Sequence, residues 1–238
     1  MPTLSAYDTI LQVSNSAAYI KKNLVREKSF SPGYLFYRIA RPLLKLNYKI
    51  FKLLNPERPW TSQAAIRAFE KILTKEMIGF EYGSGNSTVF FARHLKHLTS
   101  VEHNKEWFKI VKDKLQQRKL TNVDYHFIPQ ADPDENITYS FYQEYALTEK
   151  DFQIRKEYHS YFSFVKNYAD NQFDFIMVDG RARVECCLNA IPKLKPGGIF
   201  VLDNSDRKRY EPVFKVLSGW KSIHTTTGLF DTTFWFKP

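Results

Sequence analysis

The stretch Phe80-Glu-Tyr-Gly-Ser-Gly-Asn-Ser-Thr88 combines a short apolar run, two glycines one residue apart, and an acid two positions ahead of the first glycine. A strand that ends in a glycine loop and opens a helix is the usual start of a nucleotide-binding α/β unit. Two substitutions turn the reading away from dinucleotides. The GxGxxG pattern needs glycine at position 88, where Thr88 would obstruct close helix-to-strand packing, and Glu81 would repel a pyrophosphate. No Walker lysine follows the loop, which disfavours a nucleoside triphosphate as well.

Outward from this loop, strands and helices alternate. Residues 77–82 read as a strand and "STVFFARHL" as a helix. "LTSVEHN" is a second strand ending at Glu102, followed by an amphipathic helix over "KEWFKIVKDKLQQRKL" and a third strand, "VDYHFIP". Further strands are "FDFIMVD" (173–179) and "IFVLDN" (199–204), with "RVECCLNAIPKL" helical between them and "KPGG" as a turn. "VFKVLSGW" reads as helix, and "KSIHTTT" and "TTFWFKP" as a closing pair of strands. Parallel neighbours require crossover connections, so this order predicts a doubly wound, mostly parallel seven-stranded α/β sheet with an antiparallel closing strand. Ligands of such sheets bind at the carboxyl ends of the strands.

The chain of 238 residues, 43% hydrophobic and 16% aromatic, is long enough for one large domain with an appendage. The net charge of +10 is unevenly spread: residues 1–55 hold nine Lys/Arg against Asp8 and Glu27, which leaves only +3 for the rest. A basic appendage on a balanced core is unlike a nucleic-acid domain, and no nucleic-acid partner is expected. We therefore divide the chain into a basic helical N-terminal extension, 1–58, and a Rossmann-like domain, 59–238. Thr61 or Ser62 can cap the domain's first helix, "SQAAIRAFEKIL".

Within residues 34–54, Arg38, Arg41, Lys45, Lys49 and Lys52 recur at helical spacing, with Pro42 expected to start or kink the helix. This helix either packs on the domain with a solvated basic face or makes peripheral contact with anionic lipid. Cys186 and Cys187 are the only cysteines and are adjacent, which suits a reducing compartment. With neither a signal peptide nor a spanning segment in the reading, a cytoplasmic location is expected, either free or peripheral at the inner membrane surface.

The interval of about 131–172 is too long for a simple connection and is crowded with Tyr and Phe. It reads as an insert with helix over "DFQIRKEYHSYFSFVKNYA", its aromatics meeting an acceptor or packing the insert onto the domain.

A cationic ligand makes sense of both acids around the glycine loop. S-adenosylmethionine carries a sulfonium and an ammonium that a nearby carboxylate attracts, and glycines let backbone amides approach its carboxylate and ribose. Glu102 ends the second strand 17 residues after Gly85, where an acid can accept from two ribose hydroxyls, and His103 is placed near adenine. At this point the chain resembles the class I S-adenosylmethionine-dependent methyltransferases. "FEYGSGNST" is similar to their first motif, "SVEHN" to the acidic second, and "FDFIMVDG" and "LKPGGIFVLDN" to later strand motifs. The resemblance covers about residues 60–238. It implies cofactor roles for Glu81, Gly83, Ser84, Gly85, Asn86, Ser87, Thr88, Glu102 and His103, although Ser87 stands where an extended GxGxG has its third glycine.

Asp179, Asp203 and Asn204 fall at predicted strand ends, as do the metal ligands of catechol-type O-methyltransferases. They can hold Mg²⁺; alternatively Asp179 contacts cofactor or acceptor while the other two shape a loop. Arg181 and Arg183 can present guanidiniums to an anionic acceptor or bridge to Asp179 and Asp206, and His159 is the one histidine placed to act as a base. The reading is a methyltransferase acting on a small-molecule or glycan-like acceptor, on oxygen, with Asp179 as its catalytic group. Its rivals are a non-catalytic binding protein of the same fold and an aminopropyl transferase.

Overall fold

The computed structural model describes residues 5–16 and 32–238. Lys21, Lys22, Arg26, Glu27 and Lys28 of the basic extension lie outside the described residues. Two helices precede the sheet: α1 (Ala6–Ser16) and α2 (Pro32–Leu54). α1 is joined to the domain through Ile10, which is fully buried in a cluster with Phe69 and Phe91. α2 runs unbroken through Pro42. The ring removes one helical hydrogen bond there, but the helix neither starts nor stops at it.

α3 (Gln63–Ile72) is capped by Ser62, whose hydroxyl accepts from the Ala65 amide at 3.0 Å and donates to the Thr225 hydroxyl at 2.6 Å. The cap thus also ties the helix to the far edge of the sheet. The sheet then builds as β1 (Ile78–Tyr82), α4 (Asn86–His94), β2 (His97–Glu102), α5 (Lys105–Gln117) and β3 (Val123–Phe127). After the insert come β4 (Phe173–Val178) and β5 (Leu194–Asp203), then β6 (Lys221–Thr226) and β7 (Asp231–Phe236).

Strand order is β3-β2-β1-β4-β5-β7-β6, with β7 antiparallel to both neighbours and all other pairs parallel. The doubly wound seven-stranded sheet expected from the sequence is the one observed. Because β1 has β2 on one side and β4 on the other, the chain reverses its winding there and leaves a crevice at the strand ends. Alternation sends Phe80, Tyr82, Ile176 and Val178 into one core layer, and Phe175, Met177 and Phe234 into the other.

The insert differs from its predicted single helix. It forms short pieces instead: α6 (Phe141–Glu144), a 3₁₀ turn at Lys156–Tyr158, α7 (His159–Ser163) and a further 3₁₀ turn at Phe164–Asn167. Tertiary packing is the reason: Phe141, Tyr158, Tyr161 and Phe162 are all buried in the core layer that holds Tyr82. α8 (Arg183–Ala190) and α9 (Glu211–Val216) complete the chain's helices among the described residues.

Candidate active site

The glycine loop is fixed by contact between two strand ends. Gly83 has φ of 85°, and a Cβ there would come within 2.6 Å of the Gly180 backbone, so position 83 admits only glycine. The Gly83 amide donates to the Val101 carbonyl at 2.9 Å and the Asp179 amide to the Tyr82 carbonyl at 2.8 Å, which locks the ends of β1, β2 and β4 together.

Glu81 stands fully buried behind this loop. Its Oε2 accepts from Thr88 at 2.6 Å and Ser100 at 2.7 Å, while Thr88 in turn accepts from the Gly85 amide at 2.9 Å. Thr88, the residue that broke the dinucleotide pattern, is thus the link between the loop backbone and the buried acid. No donor meets Glu81 Oε1 in hydrogen-bonding geometry among the described residues, although the Ser87 hydroxyl stands near enough to act on the carboxyl's charge. Burial pushes its carboxyl up to about 7, against the pull of the Ser87, Thr88 and Ser100 hydroxyls.

Glu102 is 3% exposed and lines the cleft, yet its carboxylate is nearly saturated. Oε2 accepts from the Ser84 amide at 3.0 Å and the Ser84 hydroxyl at 2.8 Å; Oε1 accepts from the amides of His103 at 2.9 Å and Asn104 at 2.8 Å. His103 Nδ1 lies 3.0 Å from Oε1. Burial alone would raise this carboxyl, but the bonds from His103, Asn104 and Ser84 outweigh it and hold the group below the usual glutamate range. Three of the four hydrogen-bond donors are fixed amides. The Ser84 hydroxyl is a rotor, also 2.6 Å from the Tyr125 hydroxyl, and can yield its place to an incoming hydroxyl. Trp107 closes this end by donating its indole N–H to the Ser84 carbonyl at 2.6 Å.

Across the crevice, Arg183 organises the ends of β4 and β5. Its guanidinium pairs with Asp179 Oδ1 at 2.7 Å, donates to the Asp179 and Gly180 carbonyls at 3.0 Å each, and also meets the Asp203 carbonyl. Asp203 is 2% exposed and accepts from the Thr232 hydroxyl at 2.6 Å. Burial raises both carboxyls; the Asp179 charge adds to the rise at Asp203 and the Glu102 charge to that at Asp179, while Arg183 opposes both. Asn204 adopts a φ of 50° and turns the loop. These residues do not fit a magnesium cage: a guanidinium already occupies the acidic crossing, and Asp203 points its oxygen at Thr232. Groups of three or more His, Cys, Asp or Glu able to hold a metal are absent among the described residues.

Between these two walls lies a cleft of about 740 Å³. Of the residues singled out from sequence, Gly83, Ser84, Glu102, His103, Asp179, Arg181, Arg183 and Asn204 line it. Glu81, Gly85, Asn86, Ser87, Thr88 and Asp203 do not line it; all but the half-buried Asn86, which accepts from Lys114 at 2.9 Å, are buried. His159 lies elsewhere, its ring edge-on to Tyr139 at 5.5 Å and to Phe162 at 5.4 Å. Burial lowers its basicity there. Arg183 is 8% exposed and spent on Asp179, so the bridging alternative describes it. Arg181 is exposed and forms no ion pair among the described residues.

Sequence reasoning missed Arg155 and Trp107 as cleft residues, and offered Phe152 only as one of many insert aromatics that could meet an acceptor. Phe152, alone of the insert's crowded aromatics, reaches the cleft; the others pack the insert onto the core. Arg155 is delivered by its own amide, which donates to the buried Glu185 of α8 at 2.7 Å. No local sequence signal marks it, because its placement depends on a contact 30 residues away.

Three comparisons bear on identity. No curated protein matches the sequence. Among solved structures, a methyltransferase-like protein (spo2022) of Silicibacter pomeroyi DSS-3 is 25% identical, over 69% of this chain and 80% of that one, with a TM-score of 0.48. SMU.1697c of Streptococcus mutans, assigned as a methyltransferase and solved with SAH, is 12% identical over 71% and 93%, with a TM-score of 0.48. An rRNA methylase of Streptococcus thermophilus is 12% identical over 70% and 89%, also with a TM-score of 0.48. The family model described as "Methyltransferase domain" matches residues 80–205, from the start of the glycine-loop motif to just past the end of β5. That match spans more than half of the chain and carries both walls of the cleft, so the chain belongs to the S-adenosylmethionine-dependent methyltransferases.

Proposed function

We propose that the cleft transfers a methyl group from S-adenosylmethionine to the oxygen of a small or glycan-like anionic acceptor. The observation that carries the acceptor class is the clustering of Arg155, Arg181, Arg207 and Arg209 along the cleft. Arg181, Arg207 and Arg209 have no ion-pair partner among the described residues, whereas Asp179 and Asp151 of the same lining are matched by Arg183 and Lys215. The lining holds as many acids (Glu102, Glu106, Asp151, Asp179 and Glu185) as arginines, but three of the guanidiniums carry no ion pair among the described residues, and unpaired guanidiniums facing a cavity suit a carboxylate or phosphate.

The other end suits the cofactor. Gly83 and Ser84 present backbone, Glu102 an ionised carboxylate with one displaceable hydroxyl partner, and Trp107 an apolar wall. Glu81, buried with one unpartnered oxygen, adds a site that a nearby cation stabilises in its charged form. When bound, the cofactor supplies an electrophilic methyl whose bonding pair stays with sulfur as the acceptor oxygen donates its own. The protein's part is alignment and exclusion of water, with Asp179 as the cleft group able to take the acceptor's proton. Its side chain is 28% exposed, and burial raises its carboxyl toward the basicity such a proton transfer needs.

The test is transfer of radiolabelled methyl to a panel of carboxylated and phosphorylated hydroxy compounds, anionic oligosaccharides, neutral counterparts and RNA. Labelling of anionic small acceptors, with KM raised in Arg181→Ala and Arg207→Ala, supports the assignment. Labelling of neutral acceptors alone, or of RNA alone, rejects it.

A further inference from the structure

α2 leaves an apolar stripe in solvent. Leu35, Ile39, Leu43, Leu46, Ile50 and Leu53, at steps of four, four, three, four and three, are between 45% and 77% exposed. Phe36 and Leu54 widen it, so that eight of the eleven exposed large apolar residues among the described residues belong to this one helix. Such concentration is characteristic of an interaction surface rather than of ordinary surface composition.

The helix is seated on the domain by a different face. Tyr37 is buried, Phe51 packs against the core layer of Phe69, and Tyr48 stacks edge-on to Phe230 at 5.2 Å while donating to the Trp60 carbonyl at 2.7 Å. Trp60 in turn lies 6.1 Å from Trp107 of the cleft wall. The stripe is therefore held outward, close to the cofactor end of the cleft.

Charge identifies what it meets. α2 contains no Asp or Glu, and its five cations, Arg38, Arg41, Lys45, Lys49 and Lys52, form no ion pair among the described residues. On a helical projection Arg38, Lys45 and Lys49 fall along one flank of the stripe, roughly 80–120° from its centre. A second copy of the chain would set these flanks against one another without a single acid to match them, contrary to the charge pairing that supports helical seams. An anionic bilayer satisfies both parts: leucines enter the acyl boundary while lysine stems lie along it and their ammonium groups reach phosphates. No helix among the described residues is long and apolar enough to cross a membrane, so α2 would lie in the surface plane.

We propose that α2 is an in-plane anchor whose outward apolar stripe and basic flank bind the surface of an anionic phospholipid bilayer. The full chain is sedimented with vesicles of phosphatidylcholine alone or of phosphatidylcholine with phosphatidylglycerol, alongside light scattering without lipid. The protein sediments with anionic vesicles only and is monomeric in solution. Leu43→Glu/Leu46→Glu abolishes sedimentation, and Lys45→Glu/Lys49→Glu weakens it roughly tenfold or more. Both variants keep the wild-type melting curve, since the substituted side chains are exposed. The proposal is overturned if anionic vesicles fail to bind, if neutral vesicles bind equally, or if binding survives both variants. A dimer that Leu43→Glu/Leu46→Glu dissociates, with no vesicle binding, would instead assign the stripe to a second copy.

Discussion

Glu102→Gln changes one carboxylate oxygen into an amide nitrogen and leaves the shape of the site intact. The amide settles best with its NH₂ toward Ser84, whose hydroxyl can turn to accept from it while the Ser84 amide loses its acceptor; turned the other way, the NH₂ would face the His103 and Asn104 amides, both fixed donors. One bond to a charged acceptor is lost outright, worth ~1.5–3 kcal/mol, and the others weaken because their acceptor becomes neutral. The net cost to folding is therefore about 2–4 kcal/mol at pH 7. Cofactor affinity falls ~10–100-fold, because the carboxylate that would take a ribose hydroxyl in place of Ser84 is gone. Urea unfolding and calorimetric titration read the two effects separately.

The sign of the pH dependence follows from the direction of the shift. Glu102 is held below its ordinary range, so its contribution is complete above the unfolded value and is lost as pH falls through the folded one. Wild type and Glu102→Gln should converge in stability on acidification below about pH 4. Equal stability and equal cofactor affinity at pH 7 would refute the role given to this carboxylate.

Glu81 carries the opposite sign. Its carboxyl is raised by burial to about 7, so the folded state holds a proton that the unfolded state releases, and stability declines as pH rises from about 4.5 through 7. Glu81→Gln should remove that decline, on the order of 2–3 kcal/mol, in denaturation curves taken from pH 5 to 8; a decline that persists would place its source elsewhere. Binding a cation near Glu81 should release a proton at pH 7, visible as a dependence of the binding heat on buffer ionisation. Thr88→Val should loosen the glycine loop by about 1–2 kcal/mol, since it deletes the bond to Glu81 and the acceptor for the Gly85 amide. Gly83→Ala should abolish cofactor binding or folding outright, given the contact with Gly180, and unchanged binding would show the loop to be more yielding than its geometry implies.

The parallel sheet was legible because its strands are buried on both faces and read as apolar runs between amphipathic helices. The same legibility extended to the placement of Gly83 and Glu102 on the cleft, which is local to the strand ends. It failed where distant contacts decide placement. The sequence leaves Arg183 open between facing an acceptor and bridging to Asp179; folding sends it inward between Asp179 and Asp203, and only the neighbouring ends of β4 and β5 decide between the two. The insert reads as one helix because its apolar spacing is helical, yet Tyr158, Tyr161 and Phe162 each find separate sites in the core, and the backbone breaks to let them. Arg155 had no signature at all. Exposure of the α2 leucines was likewise invisible, since spacing shows that a face is apolar but not which face meets the domain.

The most direct measurement is calorimetric titration of the full chain with S-adenosylmethionine, set beside NAD and ATP. Saturable binding of S-adenosylmethionine alone, weakened in Glu102→Gln, is the predicted result. Binding of a phosphate-bearing nucleotide in its place, or S-adenosylmethionine binding that ignores Glu102, would contradict the reading of Phe80–Thr88 as the loop of a methyl donor.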